Sequence, residues 1–97
     1  MNAFSIVGKI TDMPMLKETS NGLKIRVQRN FPNSEGVYES DDVIVEVWRG
    51  LAETVSASCK IGDYVGINGR IHSRKYQKDD RVYLNYGFVA EKVDFLR

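Results

Sequence analysis

Residues 43–48 alternate between two faces with the period of two that is typical of a β-strand. Val43, Val45 and Val47 share one face, and Trp48 falls on the opposite face together with Ile44. A strand with three valines on one side buries that side in a core. We therefore predict that the valines face inwards and that the indole of Trp48 points outwards.

A helix is predicted directly after this strand. Leu51, Val55 and Cys59 are spaced by four, which puts them on one apolar stripe, and Gly62 just beyond is a typical helix stop. The stripe indicates that the helix covers a hydrophobic surface. Because Cys59 is the single cysteine, it has no intrachain disulfide partner, and we expect a buried structural thiol.

The next strand is predicted to begin at Tyr64, and its two faces differ in chemistry. Val65, Ile67, Gly69 and Ile71 alternate on one face, which we expect to be core. The opposite face is basic and aromatic, and its members are Tyr64, Asn68, Arg70, His72, Arg74 and Tyr76.

The chain begins with another predicted strand. Residues 4–11 alternate around a central Gly8, which permits a sharp bend or a close backbone approach. Pro14 then interrupts the pairing, because proline donates no hydrogen bond to a ladder.

A hairpin is predicted next. Asn21-Gly22 is a strong two-residue turn signal, since both residues tolerate positive φ. We therefore expect residues 15–19 to form a short extended segment that pairs with a strand over residues 23–28. The segment 32–40 is rich in turn formers and acids, which predicts an exposed loop or the tip of a protruding hairpin.

The last strand is predicted to begin at Arg81, after a hairpin connection formed by residues 77–80. Its apolar residues change phase near the C-terminus, and a β-bulge near Glu91 or Lys92 reconciles the two phases.

Five strands with one short helix between the third and fourth predict an all-β OB-fold, a small five-stranded Greek-key barrel. A bent first strand can pair with two neighbours in such a barrel, and the helix closes an open end. An open β-sandwich is the alternative. We expect residues 1–97 to form a single OB-fold domain.

Composition is that of an ordinary globular protein, with 42% hydrophobic and 28% charged residues. No apolar run approaches the roughly 18 residues that a membrane-spanning helix requires. The N-terminal sequence lacks the pattern of a signal peptide, so we expect a cytoplasmic protein without membrane contact.

The net charge of +1 conceals a segregation along the chain. Residues 60–81 carry six basic and three acidic side chains, whereas residues 32–46 carry five acidic side chains and no basic one. Two solvated loops of opposite sign are one interpretation. The alternation of rings and cations from Tyr64 onwards favours a binding surface.

Catalytic chemistry is not indicated. His72 is the single histidine, and no nucleophile elbow or phosphate-binding glycine loop is present. Asp41-Asp42 and Asp79-Asp80 could hold magnesium, but adjacent acids in loops are usually solvated. We expect no enzyme activity, no cofactor and no metal site.

Several segments in order resemble the bacterial and phage single-stranded DNA-binding proteins. They are IVGKIT at residues 6–11, VWRGLAETV at 47–55, KIGDYV at 60–65, GRI at 69–71, RKY at 74–76 and VAEKVDFL at 89–96. The resemblance implies an OB-fold without catalytic activity. It also implies sequence-tolerant binding of single-stranded DNA by a homo-oligomer, a tetramer or a dimer.

The resemblance also assigns roles to single positions. Trp48 and Tyr76 match positions where the family carries aromatics that stack on bases, and Phe31 resembles a family motif at the end of the second strand. Asp42 departs from the family, because many relatives have an aromatic there. The second strand is shorter than usual, and the acids of residues 35–46 would repel a phosphate chain.

A further departure is the end of the chain at Arg97, without the acidic tip by which replicative members recruit other enzymes. We therefore expect no tail-mediated recruitment. This favours a short phage, plasmid or mobile-element type, or a primosomal accessory relative.

Cations that follow the phosphates and rings on which bases stack are the two features that bind single strands. We expect the third strand, with Trp48 on its outward face, to be the neighbour of the strand that begins at Tyr64. Tyr83 and Tyr86 point to opposite faces of the last strand, and we expect Tyr83 to join the binding surface. The predicted DNA-binding residues are Trp48, Tyr76, Arg74, Arg70, Phe31, Arg49, Tyr64, His72, Lys75 and Tyr83. The alternative is an OB-fold interaction module whose exposed edge and acidic loop bind protein.

Overall fold

The computed structural model describes residues 1–14 and 20–96, in which five strands and one helix form. These elements are β1 (Phe4–Asp12), β2 (Ser20–Gln28), β3 (Ser40–Trp48), α1 (Arg49–Ser58), β4 (Tyr64–Lys78) and β5 (Arg81–Leu96). The strands close into a barrel in the order β1-β2-β3-β5-β4. A closed five-stranded barrel with a helix between β3 and β4 is the predicted OB-fold rather than an open sandwich.

The barrel interior is filled by side chains that the strand period assigned to it, but Ile71 of β4, which we expected in the core, is 40% exposed. Val45 and Val47 are fully buried and Val43 is partly buried, which confirms the inward face of β3. Burying an aliphatic side chain stabilises the fold by roughly 1.5–3 kcal/mol. The buried core cluster consists of Ile10, Leu23, Ile25, Val45, Val47, Ala52, Val55, Val65, Ile67 and Ala90.

Helix α1 covers this core, as its apolar stripe predicts. Ala52 and Val55 are fully buried in the core cluster. The helix ends at Ser58, before the predicted stop, and Gly62 follows in a turn with a φ of 99°. Cys59 packs against the core but is only half-buried, so it is less buried than we expected.

β1 pairs with two neighbours because it bends near its centre. Its first half pairs with β4 and its second half with β2, and Lys9 takes part in both ladders. A Cβ at position 8 would overlap the Ile25 side chain and the Arg26 carbonyl oxygen. Gly8 therefore permits the close approach of β2, as predicted.

The predicted bulge in β5 is present at Glu91. Asn68 of β4 pairs with Lys92, whereas Gly69 pairs with Ala90, so Glu91 is the extra residue. The bulge moves the apolar residues of β5 from one phase to the other.

The hairpin turn predicted at Asn21-Gly22 was wrong. Both residues lie inside β2, where Asn21 pairs with Val47 and Gly22 with Glu46. The ladder between β2 and β3 outweighs the local turn preference, because it adds backbone hydrogen bonds over the whole strand. The short pairing segment predicted over residues 15–19 lies outside the described residues.

β4 and β5 continue beyond the barrel as a two-stranded ribbon. Residues 72–78 and 81–87 pair with each other and with no other strand that the structure describes, and we call this projection the arm. Its turn consists of Asp79 and Asp80, with φ values of 52° and 63°. The predicted four-residue connection is thus a two-residue turn, and aspartate is among the residues that tolerate its positive φ.

The segment between β2 and β3 is a protruding hairpin with exposed side chains, as predicted. Its backbone pairs from Arg29 to Glu39 and from Asn33 to Val37, both at 2.8 Å. Within the described ranges, no helix has the length and apolar character needed to cross a membrane.

We predict that Gly69→Ala destabilises the fold by about 1–3 kcal/mol, the usual cost of overpacking. A Cβ there would overlap the Val89 carbonyl oxygen and lie 2.8 Å from Cε1 of Phe4. Chemical denaturation measures the change. Gly50→Ala is the matched control, since a Cβ there meets nothing within 4 Å, and alanine should stabilise the helix by up to about 1 kcal/mol. Equal stabilities of the two variants would contradict the close approach of the Val89 backbone to Gly69.

Candidate nucleic-acid interface

Trp48 lies on the outside of the barrel at the end of β3. Its side chain is 59% exposed, while the adjacent Val47 is fully buried. The orientation predicted from the strand period is therefore confirmed. The indole offers a flat apolar surface to a ligand.

A pair of stacked tyrosines lies on the arm. Tyr76 of β4 and Tyr83 of β5 are directly opposite each other, with ring centroids 5.2 Å apart and planes at 19°. Tyr86 pairs with Ser73 and therefore points to the reverse face. The prediction that Tyr83 and Tyr86 point to opposite faces is confirmed.

His72 links the root of the arm to β3. It lies opposite Gly87 of β5, and a Cβ on Gly87 would overlap Nε2 of His72. Because glycine leaves this space empty, the imidazole extends across β5, and its Nε2 lies 3.5 Å from Oε1 of Glu46. Nε2 is buried and makes no hydrogen bond to any residue that the structure describes.

Arg74 reaches the same carboxylate from the next outward position of β4. Its Nη2 lies 3.8 Å from Oε1 of Glu46. Glu46 is two residues before Trp48, so the two side chains project from the same side of β3 about 7 Å apart. These contacts connect β3 with the arm, and the outward side chains on either side of them form one candidate surface. We call it the Trp48–Tyr76 face, and it comprises Glu46, Trp48, His72, Arg74, Tyr76 and Tyr83.

The sequence predicted this face with one error of topology. We expected β3 and β4 to be adjacent, but β5 lies between them and pairs with both. Glu46 of β3 still meets His72 of β4, because Gly87 leaves a gap in β5 that the imidazole can cross.

Two predicted residues of β4 lie away from this face. Tyr64 has the same outward phase as Tyr76, but it is twelve positions earlier, roughly 40 Å along the strand, and pairs with Lys9 of β1. Lys75 pairs with Leu84 and lies on the reverse face of the arm. A shared phase thus does not bring Tyr64 and Tyr76 together.

The other predicted residues also have separate surroundings. Phe31 is 81% exposed in the hairpin between β2 and β3, beside a groove that Ser5 and Val7 also line. Arg70 lies one outward position before His72, with its Nε 3.8 Å from Glu91. Arg49 begins α1, but its side chain lies outside the part of the chain that the structure describes.

The acidic segment between residues 32 and 46 is largely balanced by arginines. Arg29 donates two hydrogen bonds of 2.9 Å to the carboxylate of Asp41 and one of 2.8 Å to Glu39. Arg26 donates one of 3.2 Å to Asp42. The segment therefore carries less unbalanced negative charge than its sequence indicates, and it repels a phosphate chain less than we expected.

The contact with Arg29 shifts the ionisation of Asp41. Hydrogen bonds from the guanidinium, supported by its positive charge, lower the pKa of Asp41 and outweigh the opposite effect of burial. Both side chains are about half exposed, so the pair orders the base of the hairpin more than it stabilises the fold.

Sequence reasoning missed Glu46 and Gly87 as members of this region. Glu46 was counted only as part of an acidic run, and Gly87 was one glycine in a predicted strand. The register between β3, β5 and β4 places both residues beside His72, and the sequence does not reveal that register. The phase of Glu46, two residues from Trp48, was the one available signal.

The face is suited to binding rather than to metal chemistry. It offers aromatic surfaces for stacking and cations for phosphate contact. Across residues 1–14 and 20–96, no group of three or more His, Cys, Asp or Glu side chains is placed to hold a metal ion.

We predict that Asp41 titrates below the ordinary range of an aspartate and returns to that range in Arg29→Gln. Because the folded-state pKa is lowered, the pair contributes stability above the pH at which a free aspartate ionises, and the contribution is lost as the pH falls through the lowered pKa. NMR titration of the side-chain carboxyl measures both values. Arg26→Gln is the control, because Arg26 contacts Asp42 instead. The same pKa of Asp41 in wild type and in Arg29→Gln would contradict the assignment.

Structural comparison supports the fold. The small single-stranded DNA-binding protein of Streptomyces coelicolor superposes with a TM-score of 0.68 at 18% identity, over 96% of this chain and 92% of that one. The SSB of Plasmodium falciparum, solved in complex with ssDNA, gives 0.77 at 14% identity, over 100% and 96%. At these identities the similarity establishes the OB-fold.

Sequence comparison is more specific. Single-stranded DNA-binding protein 3 of Listeria innocua is 38% identical over 99% of this chain, which spans 64% of that protein's length. Single-stranded DNA-binding protein B of Bacillus subtilis is 36% identical over 98% of this chain and 89% of its own length. A family model described as the single-strand binding protein family matches residues 1–96. The chain therefore belongs to the single-strand binding protein family.

Proposed function

We propose that this protein binds single-stranded DNA without sequence specificity and protects it during replication, recombination or repair. The observation that carries this proposal is the Trp48–Tyr76 face, on which exposed rings and positive side chains share one surface. The names of the relatives support the same ligand. They favour it over the alternative of a protein-interaction module.

Binding on this face combines two contributions. Bases stack on the indole of Trp48 and on the tyrosine pair of the arm, and each stacked base contributes roughly 1–3 kcal/mol. Arg74 contacts phosphate and releases condensed counterions, which makes the affinity salt-dependent. Every base has a flat face, so stacking tolerates any sequence.

The remaining predicted residues lie outside this face. Arg70 lies beside the face, whereas Phe31, Tyr64 and Lys75 would contact DNA only if the strand also passes over other surfaces of the barrel. Arg49 stays a prediction from the family resemblance alone.

The wider context is part of the same proposal. We infer a homo-oligomer, a tetramer or a dimer, in the cytoplasm, that acts by binding and catalyses no reaction. Family membership supports the absence of catalysis. A light-scattering mass with and without oligonucleotide measures the number of subunits.

We predict that oligo-dT quenches the emission of Trp48, the single tryptophan, and that the quenching weakens as salt rises. Stacking brings a base onto the indole, and added salt opposes phosphate binding with a slope of roughly −0.7 per phosphate contact in a logarithmic plot. Fluorescence titration measures both. A duplex of equal length is the control, since its bases are not free to stack. Unchanged emission at low salt, together with no gel shift, would contradict the proposal.

We predict that Trp48→Ala and Tyr76→Ala each weaken binding by about 1–3 kcal/mol for oligo-dT, oligo-dC and oligo-dA alike. Arg74→Ala should mainly flatten the salt dependence, because it removes a phosphate contact. Anisotropy of labelled oligonucleotides measures these effects. Tyr86→Ala is the matched control, an exposed tyrosine on the reverse face of the same arm. Affinities that all three variants leave unchanged would exclude this face as the binding surface.

A further inference from the structure

Glu46 is the one acidic member of the Trp48–Tyr76 face, and its carboxylate lies between His72 and Arg74. A single oxygen, Oε1, is 3.5 Å from Nε2 of His72 and 3.8 Å from Nη2 of Arg74. Its side chain is 29% exposed, whereas that of Arg74 is 70% exposed. A carboxylate thus lies near the guanidinium that we propose for phosphate contact, and the guanidinium itself is largely exposed.

The contact between Arg74 and Glu46 is loose, in contrast to another arginine pair of the same barrel. Arg29 donates two hydrogen bonds of 2.9 Å to Asp41 in a bidentate arrangement. Arg74 approaches Glu46 only to 3.8 Å, beyond hydrogen-bonding distance. Exposed ion pairs of this kind contribute little to the free energy of folding. An incoming phosphate can therefore displace the carboxylate from Arg74.

His72 gives the displaced carboxylate a remaining neighbour. The imidazole is 19% exposed and is positioned over Gly87, where a larger residue would overlap it. It therefore stays beside Glu46 when Arg74 moves. The arrangement needs three strands, with Glu46 on β3, Gly87 on β5, and His72 and Arg74 on β4.

We infer that Glu46 is a built-in competitor of the DNA phosphate at Arg74, and that it lowers the affinity and the salt dependence of binding. This inference rests on the proposed function. A mobile counterion is released into solution when phosphate binds, and this release favours binding at low salt. A carboxylate fixed to the protein is not released into solution. A phosphate contact with Arg74 therefore contributes less binding free energy than a contact with an arginine that has no carboxylate neighbour.

Glu46→Gln tests this inference because it removes the charge and keeps the size of the side chain. We expect the affinity for oligo-dT to rise about two- to fivefold, the size of an exposed ion-pair effect. The slope of log affinity against log salt should steepen by roughly 0.7, the value for one more phosphate neutralised on a single strand. Glu46→Asp, which withdraws the carboxylate from Arg74, should give a smaller rise in affinity and serves if Glu46→Gln does not fold.

Two controls separate this mechanism from a general effect of net charge. Asp94→Asn removes the same charge from β5 beyond the bulge, where Asp94 lies 3.6 Å from Lys92, and should leave the affinity unchanged. In an Arg74→Gln background, Glu46→Gln should no longer raise the affinity, because the two residues act through each other. An equal rise with Asp94→Asn, or an undiminished rise without Arg74, would overturn the inference.

Binding of oligo-dT by the wild type tests the proposed function separately from the role of Glu46. If wild type binds oligo-dT and Glu46→Gln binds equally or more weakly, Glu46 does not compete with phosphate and the inference fails alone. Weaker binding would make it a positioning residue for Arg74 instead. If wild type and every variant fail to bind, the proposed function itself fails.

Discussion

Closure of the barrel depends on a short parallel pairing between β3 and β5. Val45 pairs with Phe88 and Glu46 with Val89, and these two rungs join the ends of an otherwise antiparallel sheet. The same pairing brings the outer side of β3 beside the root of the arm. Without it, Trp48 and Arg74 would lie on different surfaces. The candidate site is therefore a product of barrel closure and cannot be assigned to one strand.

Much of the fold could be predicted from the sequence, because strand periodicity reports burial directly. The alternation of Val43, Val45 and Val47 identified both the core face of β3 and the outward direction of Trp48. The phase change in β5 placed the bulge near Glu91 or Lys92, since only an extra residue can move apolar side chains to the other face. These features are encoded in neighbouring residues, so no knowledge of the pairing partners was needed.

Features that depend on pairing between distant segments could not be predicted in the same way. Asn21-Gly22 has the local chemistry of a turn, but the ladder with β3 extends through it. Tyr64 and Tyr76 have the same phase, yet the length of β4 separates them. The positions of Glu46 and Gly87 beside His72 require the register of three strands, and neither residue type indicates it. Local pattern thus predicted the faces, while tertiary register decided which residues meet.

Two arginines of this barrel, Arg29 and Arg74, differ in their geometry. Arg29 is held by two carboxylates in short hydrogen bonds, and it orders the hairpin between β2 and β3. Arg74 has one distant carboxylate and an exposed guanidinium. Counting arginines along the sequence treats the two as equal. The structure separates a cation that organises the protein from a cation that is available to a ligand.

The arm has a consequence for how this family could vary. Its seven rungs, from the pair of His72 and Gly87 to the pair of Lys78 and Arg81, form a ribbon without a core of its own. Insertions or deletions that add or remove two rungs at a time keep Tyr76 and Tyr83 on the same side as Trp48, whereas a change of one rung turns the tyrosines to the reverse side. Evolution can therefore adjust the reach of this projection in steps of two rungs, about 7 Å each, without altering the barrel.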